Sequence, residues 1–182
     1  MKSVLISIKP KYCELIANGS KTIEVRKTRP KIETPFKCYI YCARQRVPGE
    51  ILLTHDKHIE GRNKGFREQE DVPLAGKVIG EFVCDGIGTI ECSIEEYKYW
   101  SKESCLNMDE FINYCNGRIL YVWRISGLVI YDKPKDLSEF NKANIICHRG
   151  RQKENCVSCW DCQIIRPPQS WCYVEGATNN EM

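Results

Sequence analysis

The segment NGSKTIEVRK, residues 18–27, decides how the rest of this 182-residue chain is interpreted. Its apolar residues Ile23 and Val25 alternate with polar ones, which is typical of a β-strand with one buried face. The opposite face and the start of this strand carry one carboxylate among cationic and polar residues: Lys21, Thr22, Glu24 and Arg26. Cations beside a carboxylate favour its charged form and keep N–H donors for a carbonyl or phosphate oxygen. The segment predicts either an ordinary edge strand or the floor of a pocket for an anionic or polar ligand.

A strand and a short helix precede this segment. Residues 3–8 (SVLISI) alternate and predict a strand, and Pro10 opens a helix that Gly19 is well placed to end. Lys9, at the cap position, has no side-chain acceptor for the free backbone N–H groups, and Lys11 follows one residue after the proline. We therefore expect the start of this helix, flanked by Lys9 and Lys11, to bind an anion.

The remaining elements indicate an α+β domain. Strands are predicted over 36–43, 76–88, 118–131 and 170–175, a helix over 108–115, and a long polar loop over 44–72. Strands of mixed length with a few short helices predict a small mixed β-barrel with flanking helices. The chain length suits one such domain over residues 1–182.

Composition and charge narrow the class of protein. The hydrophobic fraction of 42% and the charged fraction of 28% are those of a soluble globular protein. No apolar run is long enough to span a bilayer or to form a signal-peptide core, so we expect a cytoplasmic protein without a membrane partner. Residues 1–70 hold 15 Lys and Arg against 8 Asp and Glu, whereas the remainder holds 12 against 16. This asymmetry indicates an anionic partner such as nucleic acid, or only a solvated basic surface.

Three segments together resemble a known family. The first is LISIKPKYCELIANGSKTIEVRK (5–27), and ISGLVIYDKPKDLSEF (125–140) and RPPQSWCYVE (166–175) follow near the C-terminus. They are similar to the ASCH domain family of the PUA-like superfamily, in its phage and bacterial type. The resemblance implies a small β-barrel with flanking helices and a cleft beside the G-x-K-T-x-E-x-R segment. It also implies that this cleft binds RNA or a modified nucleobase or nucleoside.

The same resemblance implies two possible hydrolytic activities. Some small ASCH proteins cleave the acetyl amide of acetylated cytidine with a lysine, a threonine three residues later and a more distal glutamate. Lys21 matches the lysine, but Glu24 occupies the threonine position, and Glu103 is the nearest counterpart of the glutamate. Glu24 cannot attack an amide as a hydroxyl does, although it can activate a water molecule. A ribonuclease using Lys21, Glu24 and Arg26 is the other hydrolytic alternative.

The candidate site therefore comprises more residues for binding than for catalysis. The ligand-binding candidates are Lys9, Lys11, Lys21, Thr22, Glu24, Arg26 and Trp171, and the catalytic candidates are Lys21, Glu24 and Glu103. Trp171 follows Pro-Pro-Gln-Ser and is a candidate platform for a flat base, with burial in the core as its alternative.

A cysteine-rich segment near the C-terminus predicts a metal site. Residues 144–168 form an insertion in the resembled domain and contain a C-x-x-C-x-x-C run. The predicted ligands of a structural, tetrahedral zinc are Cys147, Cys156, Cys159 and Cys162, with His148 as the alternative to Cys147. An iron–sulfur cluster and a loop of reduced thiols are the other interpretations. A third function, a protein-interaction domain stabilised by this zinc, follows from the same segment.

Overall fold

The computed structural model describes residues 2–44, 74–91, 93–143 and 162–175, without the side chain of Ile94. The strands in these ranges are β1 (Lys2–Ile8), β2 (Ile23–Arg26), β3 (Phe36–Cys42), β4 (Val78–Cys84), β5 (Ile87–Ile90), β6 (Leu120–Arg124), β7 (Ser126–Lys135) and β8 (Trp171–Glu175). The helices are α1 (Pro10–Ala17), α2 (Ile94–Glu103) and α3 (Met108–Cys115), with a 3-10 turn at Leu137–Glu139. The predicted loop 44–72 lies almost entirely outside the described residues, as does most of the insertion 144–168.

These strands form two sheets. The first has the order β7-β4-β3-β1-β8, and the second has the order β2-β6-β5. Within the first sheet β1 and β3 run parallel, and the other ladders of both sheets are antiparallel. The chain crosses between the sheets at two short breaks, Asp85-Gly86 and Ile125, which lie within the strands predicted over 76–88 and 118–131.

The α+β class is confirmed, but the predicted barrel is wrong in one respect, because the described strands do not close into a single barrel. Among them, β2 is hydrogen-bonded to β6 and not to β1. The side chain of Arg26 instead bridges the two sheets, since its Nη2 donates to the Ser7 carbonyl oxygen at 2.6 Å. In a closed barrel, backbone hydrogen bonds would join the edge strands of the two sheets. Here the guanidinium of Arg26 connects the sheets at this place.

The period-two alternation of the strands divides the apolar side chains into three layers. Val4, Ile6 and Ile8 of β1 face a central core between the two sheets, which also contains the fully buried Trp123. The outer face of the larger sheet is covered by a second group of side chains, and α2 and α3 pack on the outer face of the smaller sheet. The layers place β2 between the helices and the central core, which decides the surroundings of the candidate site.

The helix ends follow local signals. Pro10 is the first residue of α1, and its cap residue Lys9 makes no side-chain capping hydrogen bond. Asn107 and Glu110 form a capping box at the start of α3, and Asn116 ends that helix in the left-handed conformation. None of the helices in the described ranges has the length and apolar character needed to cross a membrane.

Candidate functional site

The central feature of the site is a group of three buried charged side chains on β2 and just before it, called here the charged cluster: Lys21, Glu24 and Arg26. Ile23 and Val25 pack towards α3, as the alternation predicted. Glu24 and Arg26 face the opposite way, and Glu24 lies directly across from Trp123 of the central core. The three residues of the cluster are 3%, 7% and 8% exposed, respectively. The structure therefore brings them together, but inside the protein and not on the wall of an open cleft.

Glu24 lies between the two cations. Its Oε1 is 3.1 Å from Arg26 Nη2, and its Oε2 is 3.4 Å from Lys21 Nζ. Lys21 Nζ also donates a hydrogen bond of 2.6 Å to the carbonyl oxygen of Ser104, at the C-terminal end of α2. A cation at the carbonyl end of a helix is favourable, because the last carbonyl groups of a helix carry a partial negative charge.

Arg26 binds two further groups. Nη2 donates to the Ser7 carbonyl oxygen, and Nη1 lies 3.3 Å from the Ser170 hydroxyl oxygen, just before β8. Arg26 thereby connects β2 to the ends of two strands of the other sheet. Because a guanidinium has five N–H donors in a rigid fork, this one residue can hold several acceptors at once.

Two polar atoms of the charged cluster make no hydrogen bond with the described part of the chain. They are Glu24 Oε2 and Arg26 Nε, and both are buried. Trp123 Nε1, on the residue directly opposite Glu24, is also buried and also makes no hydrogen bond with the described residues. A buried polar atom without a partner costs about 1–3 kcal/mol, so an acceptor and two donors in one region provide a reason for a polar ligand or an ordered water to bind there.

Tyr12 forms the accessible edge of the charged cluster. Its ring lies 5.3 Å from Lys21 Nζ and 5.4 Å from Lys11 Nζ, and it is only partly buried. Burial first, and then the carboxylates of Glu110 and Glu24, raise the pKa of Tyr12 to about 12. At neutral pH its hydroxyl group is therefore protonated and can donate a hydrogen bond.

The predicted anion site at the start of α1 lies at the surface. Lys9 and Lys11 are both exposed, and Lys11 Nζ is 3.7 Å from Glu110 Oε1 of α3. The structure leaves the side chain of Lys9 out of the capping of the helix, as the sequence predicted. Lys11 connects this surface to the charged cluster through the ring of Tyr12.

Thr22 and Glu103 are placed apart from the charged cluster. Thr22 lies one residue before β2 and is exposed. Both side chains line a separate cavity of about 560 Å³, together with Tyr99, Trp100 and Arg124. Glu103 is adjacent in sequence to Ser104, whose carbonyl binds Lys21, but its own side chain belongs to this cavity.

A second concave surface, called here the basic groove, follows directly after β2. It has a volume of about 790 Å³ and is lined by residues 27–34 together with Ile87 and Tyr121. Trp171 borders it: its ring is partly buried against Trp123 (5.9 Å between ring centroids), and its Nε1 donates to Thr28 Oγ1 at 3.0 Å. One part of the Trp171 ring packs against the core, and its polar edge holds the wall of the groove. Its role as a platform for a base stays a prediction.

The predicted metal site falls mostly outside the described residues. Cys147, His148, Cys156 and Cys159 lie there, and only Cys162 is described, as a buried residue. Among the residues that the structure describes, no group of three or more His, Cys, Asp or Glu side chains is arranged to hold a metal. The zinc site accordingly stays a prediction.

Several residues of the site were not identified from the sequence: Ser7, Tyr12, Ser104, Trp123 and Ser170. Ser7 and Ser104 contribute backbone carbonyl groups, and a sequence contains no signal for such contacts. Tyr12 and Trp123 occupy positions that an apolar pattern assigns to the core, although the polar atom of each was a possible hint.

Comparison with known proteins adds the fold relationship. No protein-family model and no curated protein matches the chain. Among solved structures it is similar to the ASCH protein from Zymomonas mobilis, with a TM-score of 0.56 and 15% identity over 96% of this chain and 88% of that one. A tyrosine-to-phenylalanine variant of the same protein gives a TM-score of 0.57 and 15% identity, with coverage of 97% and 93%. The chain therefore has the fold of this ASCH protein, in agreement with the resemblance of its N-terminal and C-terminal motifs.

Proposed function

We propose that this protein binds RNA, or a modified nucleobase or nucleoside, at the charged cluster. The observation that carries the proposal is the pair of buried atoms Glu24 Oε2 and Arg26 Nε, which make no hydrogen bond with the described residues, although Oε2 lies within ion-pair distance of Lys21. The likeness in fold to ASCH proteins and the basic N-terminal part of the chain support it as well.

The chemistry of the cluster suits the edge of a base. Glu24 offers a carboxylate acceptor, and Arg26 and Lys21 offer donors within 3.1 and 3.4 Å of that carboxylate. A nucleobase edge, or the acyl amide of a modified base, presents a donor and an acceptor side by side. A site built from buried polar groups also discriminates strongly, because a ligand that lacks the matching group leaves the buried atoms unpaired.

Hydrolysis is the second candidate function, and one specific observation favours it. Glu24 Oε2 has no hydrogen-bond partner among the described residues and can hold a water molecule as a general base. Lys21 Nζ, 3.4 Å away, can stabilise negative charge that develops on a carbonyl or phosphate oxygen. An acylated nucleoside or an RNA phosphodiester would be the substrate.

Binding is tested with the indole group of Trp123 as a reporter. The four tryptophans of the full chain are labelled with ¹⁵N, and their indole resonances are followed while cytidine, acetylated cytidine and adenosine are added. We expect the Trp123 resonance to shift and saturate, because its unpartnered Nε1 lies on the residue opposite Glu24. Trp100, which lines a different cavity, is the internal control. If no nucleoside moves the Trp123 resonance, binding at the charged cluster is refuted.

Catalysis is tested separately by chromatography of acetylated cytidine and of a short RNA after incubation with the protein. We expect product with the native chain and its loss in Glu24→Gln, with the folded state of the variant checked by circular dichroism. Nucleoside binding without any product would refute the hydrolase and leave the binding function.

A further inference from the structure

We propose that the basic groove is a phosphate-binding track, so that the ligand of this protein is a single strand of RNA and not a free nucleoside. This inference rests on the proposed function, because it extends the same binding site along the surface. The charges, the rigidity, the floor and the position of the groove each support it.

The groove carries an excess of uncompensated positive charge. Lys27, Arg29 and Lys31 line it and are all exposed, against the single carboxylate of Glu33. Within the described part of the chain, none of these three cations forms an ion pair. Uncompensated Lys and Arg side chains in one concavity are the usual footprint of a polyanion, whose condensed counterions are released when the cations bind its phosphates.

The wall of the groove has a defined shape although it contains no helix or strand. The Lys31 backbone N–H donates to the Tyr173 hydroxyl oxygen at 2.6 Å, and the Thr28 hydroxyl accepts from Trp171 Nε1. Pro30 lies between these two points and is buried, and Ile32, the residue after Lys31, packs against the central core. A wall held at both ends loses little conformational entropy when a ligand binds, and this is favourable for affinity.

The floor of the groove is apolar and aromatic. Ile87 and Tyr121 form it, and the Arg29 guanidinium lies 5.9 Å from the centroid of the Tyr121 ring. Lys27 Nζ lies 4.9 Å from the ring of Tyr114, a residue of α3 outside the lining of the groove. Aromatic rings beside cations are typical of surfaces that bind single strands, because bases stack on the rings while phosphates bind the cations.

The groove begins where the charged cluster ends. Lys27 follows Arg26 directly, and Tyr121 is the residue opposite Arg26 on the neighbouring strand. One nucleotide at the cluster would therefore direct the backbone of its neighbours into the groove. The volume of about 790 Å³ is towards the upper end of the roughly 300–1,000 Å³ that ligand sites usually have, and it accommodates more than a base alone.

The experiment measures binding of a fluorescently labelled twelve-nucleotide oligouridine by anisotropy over a series of salt concentrations. The test variant is Lys27→Gln/Arg29→Gln/Lys31→Gln, and the matched control is Lys98→Gln/Lys102→Gln/Lys133→Gln, which removes three exposed cations from α2 and β7. We expect the test variant to bind about tenfold or more weakly. Its slope of log affinity against log salt should be shallower by about 2, since each phosphate contact contributes roughly 0.7 in a single strand.

Three outcomes separate this inference from the proposed function. If the native chain does not bind the oligonucleotide, or if the test variant binds it like the control, the phosphate track is refuted. If nucleosides still move the Trp123 resonance in that case, the proposed function stands without the groove. If the groove variant loses the oligonucleotide while nucleosides have no effect on Trp123 in the native chain, the groove is supported and the charged cluster is refuted as the base site.

Discussion

Two cations share one carboxylate in the interior of this protein, so the charged cluster carries a net positive charge. Taking charged groups out of water costs several kcal/mol each, and the hydrogen bonds of Lys21 to Ser104 and of Arg26 to Ser7 offset part of this cost. The negative charge of Glu24 offsets a further part of the cost of burying Lys21 and Arg26. Its removal therefore affects all three residues at once.

We predict that Glu24→Gln lowers the free energy of unfolding by about 3 kcal/mol or more, because it leaves Lys21 and Arg26 buried without a counter-charge. Urea denaturation monitored by tryptophan fluorescence measures this loss. Glu33→Gln is the control, since Glu33 is exposed and a surface change of this kind costs at most about 0.5 kcal/mol. An equal and small effect of both substitutions would mean that the cluster contributes little to stability.

The sequence identified the three members of this cluster but not their surroundings. The alternation over residues 22–26 separated Glu24 and Arg26 from Ile23 and Val25, and the structure has the same division. The alternation could not predict the burial of the charged cluster, because the groups that contact it are distant in sequence. Ser104 is 83 residues from Lys21, and Ser170 is 144 residues from Arg26.

Among the strands, β4 depends on a close approach to its neighbour β7. The backbone of Gly80 is so near β7 that a Cβ atom at this position would lie only 2.4 Å from the Val129 carbonyl oxygen. The register of β4 with both of its neighbours shifts beside Gly80, as is common where a glycine lies inside a strand.

Gly80→Ala is expected to destabilise the protein by about 1–3 kcal/mol, because the added methyl group forces the β4 and β7 backbones apart. Thermal unfolding is the measurement. Gly88→Ala in β5 is the matched control, since nothing lies within 4 Å of the corresponding Cβ position and neither glycine has a positive φ. A Tm for Gly80→Ala equal to that of the control would disprove this tight approach.

The larger sheet also contains a set of polar contacts around Glu81 of β4. Lys37 Nζ of β3 and the Tyr131 hydroxyl of β7 each donate to this carboxylate at 2.6 Å. Burial alone would raise the pKa of Glu81, but these two hydrogen bonds lower it below its usual value. The ionised form is thus stabilised in the folded state, and this stabilisation is lost as the pH falls through the folded-state pKa.

From this it follows that Tyr131→Phe reduces the free energy of unfolding by about 1–2 kcal/mol at neutral pH, because one donor to a charged acceptor is lost. The difference from the native chain should be smaller at about pH 3, because the stabilisation is lost progressively as the pH falls from the ordinary glutamate pKa of about 4.3 through the lowered folded-state pKa of Glu81. Chemical denaturation at the two pH values tests this. Tyr99→Phe, at an exposed tyrosine, should show no effect at either pH. A loss that does not change with pH would contradict the role of Glu81.

The helix α2 was not predicted, although its sequence contained a signal. The Ser93 hydroxyl accepts from the Glu96 backbone N–H at the start of the helix, and serine followed three residues later by glutamate is a common helix-start pattern. The oversight mattered for the site, because the last carbonyl groups of α2 include the one that binds Lys21.

For the molecule as a whole, most of the cysteine-rich segment lies outside the described residues. We predict about one zinc per chain in the purified protein, bound by Cys147 or His148 together with Cys156, Cys159 and Cys162. Elemental analysis by mass spectrometry measures the zinc content, and Cys159→Ser should reduce it while the control Cys105→Ser, at a partly buried cysteine outside this segment, should not. Metal-free protein with every thiol open to titration would exclude the site.

The chain by itself determined most of the local elements, although not α2, together with the α+β class and the choice of Lys21, Glu24 and Arg26 as candidates. Alternation, an opening proline and an Asn-Gly stop act within a few residues, so they can be recognised in sequence. Only the tertiary structure decided that the sheets stay separate, that the charged cluster is buried, and that Trp171 holds a groove beside it. These features arise from contacts between distant segments, and no local pattern encodes which backbone carbonyl or ring a buried cation will meet.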